Sequence, residues 1–413
     1  MMKINSFRTV IFLLIFISIL MPLAILSFLT INSVNSRIES VLEQNLLNYA
    51  HGSEVIYNSH LDRILKLGIM LSENSQFAEN VANGDTSALK DQMVQFAKSE
   101  GIDIATLIDP NGLALARINS NVTGDDFALG GLTRYAALRR IPIASTEIIP
   151  SAELAIEGES LLLSARTRRI PTLYQKTDDG NPYESNGMAI IAAVPIVKDR
   201  KVIAVIVVAD LLNRDYRIPD EIKKILGADI SIFQEDVRVS TTLSTKRGNR
   251  YVGTLLFEPV YNKTLVNGET YLGRVWAVNN WGKAAFVPIK NYMGEVIGVM
   301  GIEVPEAEFR QSQFFSQKTD IAQIIIITTI AVLLVSFGIT FWVSKKLTEP
   351  VDRLIESANE VIKGNFEQGV KINSYDEINN LANAFNIMIR YLRKNMVKKE
   401  REILEQYKKV KGK

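Results

Sequence analysis

A chain of 413 residues with a formal net charge of +2 has room for two or three compact units, and its charge balance excludes a nucleic-acid partner chosen by bulk electrostatics. It contains no cysteine, which excludes disulfides, thiol catalysis and thiolate metal sites. Mean hydropathy is +0.09 although 22% of the residues are charged, so the apolar residues must be concentrated in a few runs.

The first run is TVIFLLIFISILMPLAILSFLTI, residues 9–31. Its 23 uncharged residues exceed what a helix needs to cross a hydrocarbon core of about 30 Å. Lys3 and Arg8 give it the basic start of a signal peptide. The run is longer than a usual signal core and no A-x-A site follows, so an uncleaved anchor is expected, with Pro22 as a tolerable kink. Val34, Ile38, Val41, Leu42 and Leu46 then recur at helical spacing, predicting a long helix up to Met70.

The next segments read as strands. IATLIDPNGLALARI carries a turn at Asp109-Pro110-Asn111-Gly112, and VPIVKDRKVIAVIVV, from Val194, reads as a hairpin turning at 198–201. Both patterns return. ADISIFQEDVRVSTTL turns near 234–236, and VPIKNYMGEVIGVMGI turns at 291–294. The two prolines, Pro195 and Pro288, are 93 residues apart. One module is therefore repeated, with each proline expected at a strand start or edge.

A second uncharged run, IAQIIIITTIAVLLVSFGITFWV, covers residues 321–343, and Lys345 and Lys346 follow it. Basic residues flank the outer ends of both spans, so both chain ends belong in the cytoplasm and the long middle region outside. After the second span Leu347, Val351, Leu354, Ala358 and Val361 form one heptad seam, and Ile378, Leu381, Phe385, Met388 and Leu392 form another. KGNFEQGVKINSYDE joins them and interrupts the helix. Two short amphipathic helices need a partner surface, which a parallel four-helix bundle in a homodimer supplies. Met396, Ile403, Tyr407 and Val410 extend an approximate seam into a basic tail that could also meet anionic lipid.

The stretch ISIFQEDVRVSTTLSTKRGNRYVGT, with GETYLGRVWAVNNWGKAAFVPIKNYMGEVIGVMGIEV, resembles the membrane-proximal module of Cache domains, the PAS-like external sensors of bacterial chemoreceptors and sensor kinases. Residues from about 101 to 211 resemble a divergent distal copy. Pro350, the Asp376-Glu377-Ile378 opening and LANAFNIM resemble a HAMP linker, with Gly364, Val370 and Ile372 fitting its connector. The expected fold class is α+β: a long N-terminal helix, two PAS-like antiparallel-sheet modules outside, two transmembrane helices and a dimeric HAMP bundle. Expected boundaries are 1–8 cytoplasmic, 9–31 first span, 32–320 sensor (distal module 71–212, proximal 218–305), 321–343 second span, 344–397 HAMP-like and 398–413 basic tail.

Candidate ligand groups lie in both modules. In the proximal one, strand alternation puts Arg238 and Thr242 on one face and Thr241 on the other. Arg274 and Trp276 share a face of a later strand, and Trp281 and Lys283 follow. Arginines with hydroxyls suit a carboxylate; the alternative is that they brace the module's own loops. In amino-acid-binding double Cache domains a tyrosine, an arginine five residues on, an aromatic pair and a late aspartate hold the ligand. Tyr135, Arg140 and Asp210 match that spacing, but Pro142 and Ile143 replace the pair. Arg117, Arg166 and Tyr174 are further candidates. Pro350, Leu354, Glu377 and Phe385 are the expected signal-relay positions.

No catalytic triad, P-loop or metal-ligand constellation is present, and the only histidines, His51 and His60, fall in the external helix. No cofactor and no enzyme activity are expected. The function expected is a bacterial inner-membrane receptor, of the kind used in chemotaxis and sensor kinases, that senses a small molecule outside, with carboxylates and amino acids as the candidate ligands. It would relay the event through HAMP to a cytoplasmic output, expected from a separate signalling protein or from a domain outside this sequence. The alternatives are the sensory half of a longer chemoreceptor, kinase, cyclase or phosphatase, or a membrane-bound adaptor that binds without signalling.

Overall fold

The computed structural model describes residues 7–127, 129–175, 180–277, 280–305, 313–367, 369–370 and 377–411. Lys3, Ile372 and Asp376, and the side chains of Val34, Ile38 and Leu347, lie outside the described residues. The chain forms two compact units, one of residues 37–316 and one that pairs residues 1–36 with 317–413.

Helix α1 (Phe7–Ser72) is continuous over 66 residues and passes through Pro22 without ending. Within the sensor unit it buries Leu42, Leu46, Ala50, Tyr57, Ile64, Leu67 and Leu71. Those positions step by three, four or seven, the stripe that lays one helical face on a core. Helices α2 (Ser75–Asn83) and α3 (Thr86–Glu100) follow, capped by Asn74 and Asp85 at their starts and by left-handed Gly84 and Gly101 at their ends.

The distal sheet contains β1 (Ile104–Ile108), β2 (Ala114–Arg117), β3 (Ile143–Ile149), β6 (Gly187–Lys198) and β7 (Lys201–Leu211) in the order β2-β1-β7-β6-β3. Between them lie α4 (Gly130–Arg139), α5 (Ser151–Glu157), α6 (Glu159–Ala165) and a small ribbon of β4 (Thr167–Arg168) and β5 (Tyr183–Glu184). After α7 (Arg217–Leu226) the proximal sheet contains β8 (Asp229–Gln234), β9 (Val237–Thr241), β10 (Tyr271–Ala277), β11 (Asn280–Lys290) and β12 (Val296–Pro305), ordered β10-β11-β12-β8-β9. Numbered within each module, both orders are 2-1-5-4-3, all antiparallel. The repeated hairpin of the sequence is thus the last strand pair of each module.

The echo extends to irregularities. Pro195 pairs with Val205, and the register slips one residue later, between Ile196 and Val197. Pro288 pairs with Val299, and the register slips between Ile289 and Lys290. Neither proline begins its strand. Pro195 lies two residues past the last β3 partner, Ala193, and Pro288 two residues past the last β10 partner, Phe286. One flank of each strand is unpaired there, which is where a residue without an N–H is tolerated.

One hydrophobic core serves both sheets on the α1 side. It joins Leu46, Tyr57 and Ile64 of α1 to Ile206 and Val208 of β7 and to Ile232, Met300 and Ile302 of the proximal sheet. The opposite faces have separate cores: Leu132, Leu154, Val205 and Val207 in the distal module, and Phe233, Leu256, Val275 and Phe286 in the proximal one.

The other unit holds two stretches long and apolar enough to cross a membrane, Phe12–Ser33 and one starting at Ile325. Their contacts include Phe337 edge-on to Phe12 and Phe16, at 5.4 and 6.0 Å, and Ser27 Oγ 3.3 Å from Thr329 Oγ1. The helix Gln313–Ile362 continues through Pro350, and a second helix runs Glu377–Lys411. Leu354, Val370 and Ala382 form a small core between them, flanked by Ile378 and Phe385.

Candidate functional site

The proximal sheet builds a pocket on the face away from α1. Its floor includes Phe233, Val275 and Phe286; Arg238 comes from β9, Glu303 from β12 and Trp276 from β10. Two segments cover it, Thr254–Phe257 and a strap, 170–175, that leaves the distal module after β4. The strap is hydrogen-bonded to its neighbour: Ile170 N donates to Gly253 O (2.8 Å), Thr172 Oγ1 to Leu255 O (3.2 Å), and Glu258 N to Tyr174 O (2.9 Å). Tyr174 has φ 62°, a left-handed backbone uncommon for a residue with a ring.

Arg238 and Glu303 are 4% and 3% exposed and share one hydrogen bond, Nη2 to Oε1 at 2.9 Å. Arg238 also lies 4.9 Å over the Phe233 ring. Burial pulls the Arg238 guanidinium down, opposed by Glu303 and Asp229; burial pushes Glu303 up, opposed by Arg238 and Ser231. Among the described residues, four polar atoms around the pocket have no hydrogen-bond partner: Arg238 Nε and Nη1, Glu303 Oε2 and Trp276 Nε1. At the rim, Trp276, Trp281, Tyr174 and Phe257 form a ring cluster with centroids 5.4–6.4 Å apart.

The structure therefore brings Arg238 and Trp276 together and separates them from two other sequence candidates. Thr242 is taken up by the backbone turn at β8, accepting from Ile230 N (2.9 Å) and donating to Asp229 Oδ1 (2.6 Å). Arg274 is exposed, with its guanidinium 4.5 Å over Trp281. Strand alternation gave the wrong face for Thr242 because β9 is irregular. The register runs Ile232↔Ser240 and then Phe233↔Arg238, skipping Val239. That bulge reverses the phase, so Arg238 shares its face with Thr241, whose hydroxyl is 2.9 Å from Ser231 Oγ.

In the distal module the candidates also separate. Tyr135, on α4, meets Tyr292 of the proximal hairpin at 6.1 Å. Tyr292 N donates to Glu147 Oε1 (3.0 Å), and a Cβ on Gly131 would fall 2.5 Å from the Tyr292 hydroxyl. Burial pushes Glu147 up. Arg140 is exposed and ends α4 in a left-handed conformation. Asp210 faces the other way: its β7 neighbour Val208 packs in the α1 core, whereas α4 packs on Val205 and Val207. Asp210 Oδ2 accepts from Arg63 of α1 (3.1 Å) and lies 3.7 Å from Arg217. Burial raises Asp210 against the pull of those two arginines.

The distal module also contains a buried ion cluster. Arg117 is fully buried and spends its N–H groups on Glu157 (3.0 Å), Asp125 (2.7 and 2.7 Å), Glu153 (2.9 Å) and Val122 O (2.9 Å). Burial pushes Glu157 up to about 7 despite its bonds from Thr106 and Arg117, while Arg117 holds Asp125 down. Arg166 stacks over Tyr183 at 4.4 Å. His60 is placed 2.9 Å from Glu221. A cleft open to solvent lies between α1, β3 and β11, beside the Tyr57–Thr146 hydroxyl pair at 2.8 Å.

In the HAMP-like unit Leu354 and Phe385 share the small core, whereas Glu377 is exposed at the start of its helix. Sequence reading missed two features. Asn386 grips the connector on both sides, with Oδ1 accepting from Val370 N and Nδ2 donating to Val370 O, each 2.8 Å. Glu303 was legible as a lone acid in the apolar strand VIGVMGIEVP, yet nothing local named Arg238 as its partner.

Two family patterns match the chain: Single cache domain 3 over residues 210–314 and HAMP domain over residues 342–394. The sensor protein kinase WalK of Staphylococcus saprophyticus is 30% identical over 129 residues, 31% of this chain and 19% of that protein. WalK of Staphylococcus epidermidis is 27% identical over 204 residues, 47% of this chain and 30% of that one. The chain thus spans under a third of the length of these curated relatives. The periplasmic domain of Vibrio cholerae LuxQ aligns with 63% of this chain and 99% of its own at 9% identity and a TM-score of 0.37.

Proposed function

We propose that this chain, a transmembrane sensing receptor of the Cache–HAMP type, reads a small molecule outside the bacterial plasma membrane and works as a homodimer that drives a cytoplasmic output. The observation that carries the reading is the coexistence in one chain of a Cache match, an apolar helix and a HAMP match in that order. Cache and HAMP units are sensory rather than catalytic; output belongs to a partner protein or to a further domain of the kinase kind found in the relatives. Ligand binding would favour one of two packings of the sensor, and the HAMP helices would repack in response. Pro350, Leu354, Phe385 and Glu377 are the proposed relay positions, with Asn386 added as the clamp on the connector.

The homodimer has a specific physical basis. The helix Glu377–Lys411 buries Ala382 and Ile389 but leaves Leu381, Met388 and Leu392 exposed at 59%, 46% and 37%. Those three belong to the heptad seam, which a second copy would cover. The chain has no native cysteine, so single cysteines report cleanly. Oxidation of Met388→Cys in native membranes should give a disulfide-linked dimer, whereas Asn383→Cys and Arg390→Cys, off the seam, should give little. Equal cross-linking at all three positions would sink the seam, and no cross-linking at Met388→Cys would sink the homodimer.

A further inference from the structure

Nothing in the arrangement above accounts for the four orphaned atoms of the proximal pocket. A buried donor or acceptor left without a partner is strongly disfavoured, and native interiors contain few. Here Arg238 Nε and Nη1, Trp276 Nε1 and Glu303 Oε2 surround one pocket. Its enclosed space admits about one water molecule.

The four atoms specify chemistry. Three are donors and need acceptor lone pairs; the fourth is a carboxylate oxygen and needs a donor. Charge narrows the choice further. Arg238 and Glu303 already neutralise each other at 2.9 Å, and Asp229 is the next charge acting on both. An added carboxylate would be an uncompensated buried anion beside Glu303. A neutral group with a carbonyl oxygen beside an N–H meets both demands: its oxygen accepts from Arg238 and Trp276, and its N–H donates to Glu303.

We propose that the Arg238–Glu303–Trp276 pocket is the binding site for a small uncharged amide, held under the distal module's strap. This rests on the reading of the chain as a small-molecule receptor and names the site and the ligand class. An amide larger than water must displace the strap at Thr172 and Tyr174, which line or rim the pocket. Binding in the proximal module would thereby move a segment that belongs to the distal one. The strained Tyr174 backbone is the part of the strap with most to gain from moving.

Acetamide and acetate are nearly isosteric and differ in charge and donor count, so they separate the amide from the anion. The experiment is a thermal-shift and calorimetric titration of the full chain in nanodiscs. Four heavy atoms limit the best dissociation constant to about tens of micromolar, so titration to about 50 mM is ample. Acetamide should raise the melting temperature and acetate should not. The double variant Arg238→Met with Glu303→Leu removes both charges and so avoids a lone buried ion; it should bind acetamide at least tenfold more weakly. Trp276→Phe, which removes a single donor, should weaken it less. Acetate binding as well as acetamide, no response to acetamide, or an undiminished response in the folded double variant would each overturn the proposal. The receptor reading would survive any of these, because it rests on the Cache match, the apolar helix and the HAMP match in one chain and not on this pocket.

Discussion

At the scale of single residues, two arginines are buried among the described residues of the sensor, with opposite degrees of satisfaction. Arg117 is fully bonded to three carboxylates and a carbonyl, whereas Arg238 keeps one of its bonds and leaves two nitrogens bare. Removing one member of a buried pair strands the other charge, typically at about 3–5 kcal/mol, while replacing both with apolar groups is often neutral. Arg238→Met alone should therefore lower the chemical-denaturation midpoint clearly, and the Arg238→Met, Glu303→Leu pair should recover most of the loss. Glu157 makes a pH prediction. Its folded value of about 7 lies above its ordinary 4.5, so the folded state holds the proton more tightly. Its contribution is complete below about pH 4.5 and is lost as pH rises through 7, a fall on the order of 1–3 kcal/mol. Burial raises Asp103, Glu147, Asp210 and Glu303 as well, so several groups add to the same slope. The difference between wild type and Glu157→Gln, measured by denaturation at pH 5 and pH 8, isolates the share of Glu157; parallel curves would refute it.

At the scale of elements, the two modules grip each other in both directions. The proximal hairpin sends Tyr292 into the distal module, and the distal module sends its strap over the proximal pocket. Each contact depends on a glycine. Gly253 sits at φ +93°, and a Cβ there would lie 2.1 Å from Arg168 O; Gly131 leaves room for the Tyr292 hydroxyl. Gly253→Ala should detach the strap, seen as faster amide exchange at Ile170 and Leu255, with the α1 core unchanged. Tyr292→Ala should loosen α4 but leave the strap protected. The same contacts show what a sequence can and cannot convey. Hairpins such as 194–205 and 287–299 are local: apolar alternation, a turn and a proline suffice to read them, and even their shared register slip is encoded twice. The bulge at Val239 is local too, but no residue type announces it, and it reversed the expected faces of Thr241 and Thr242. The strap and the Glu303 partnership connect residues 65 to 83 positions apart, where periodicity carries no information. Asp210 had the spacing of a ligand group but lies on the α1 face, a distinction that depends on which side of β7 the helix covers.

At the scale of the whole molecule, the membrane-side unit and the sensor unit each have their own core. Within the HAMP-like unit, Asn386→Leu would remove both hydrogen bonds to Val370, at a net cost of about 1–3 kcal/mol. It should free the connector, which a spin label at Glu367 would report as increased mobility; an unchanged spectrum would remove Asn386 from the relay. In the sensor unit the α1 core has a practical corollary for anyone wishing to excise the Cache-matched segment, residues 210–314. Ile230, Ile232, Val239, Ala285, Met300 and Ile302 of that segment are covered by a layer that α1 helps to build. Cut free, the segment would present this sheet face to water and lose the strap from above its pocket. It should precipitate or self-associate, whereas a fragment starting at the sensor portion of α1 should stay soluble and melt in one transition. The smallest heritable part of this sensor is then both modules with their helix, and an exchange of one module between receptors would have to carry a matching helix face with it.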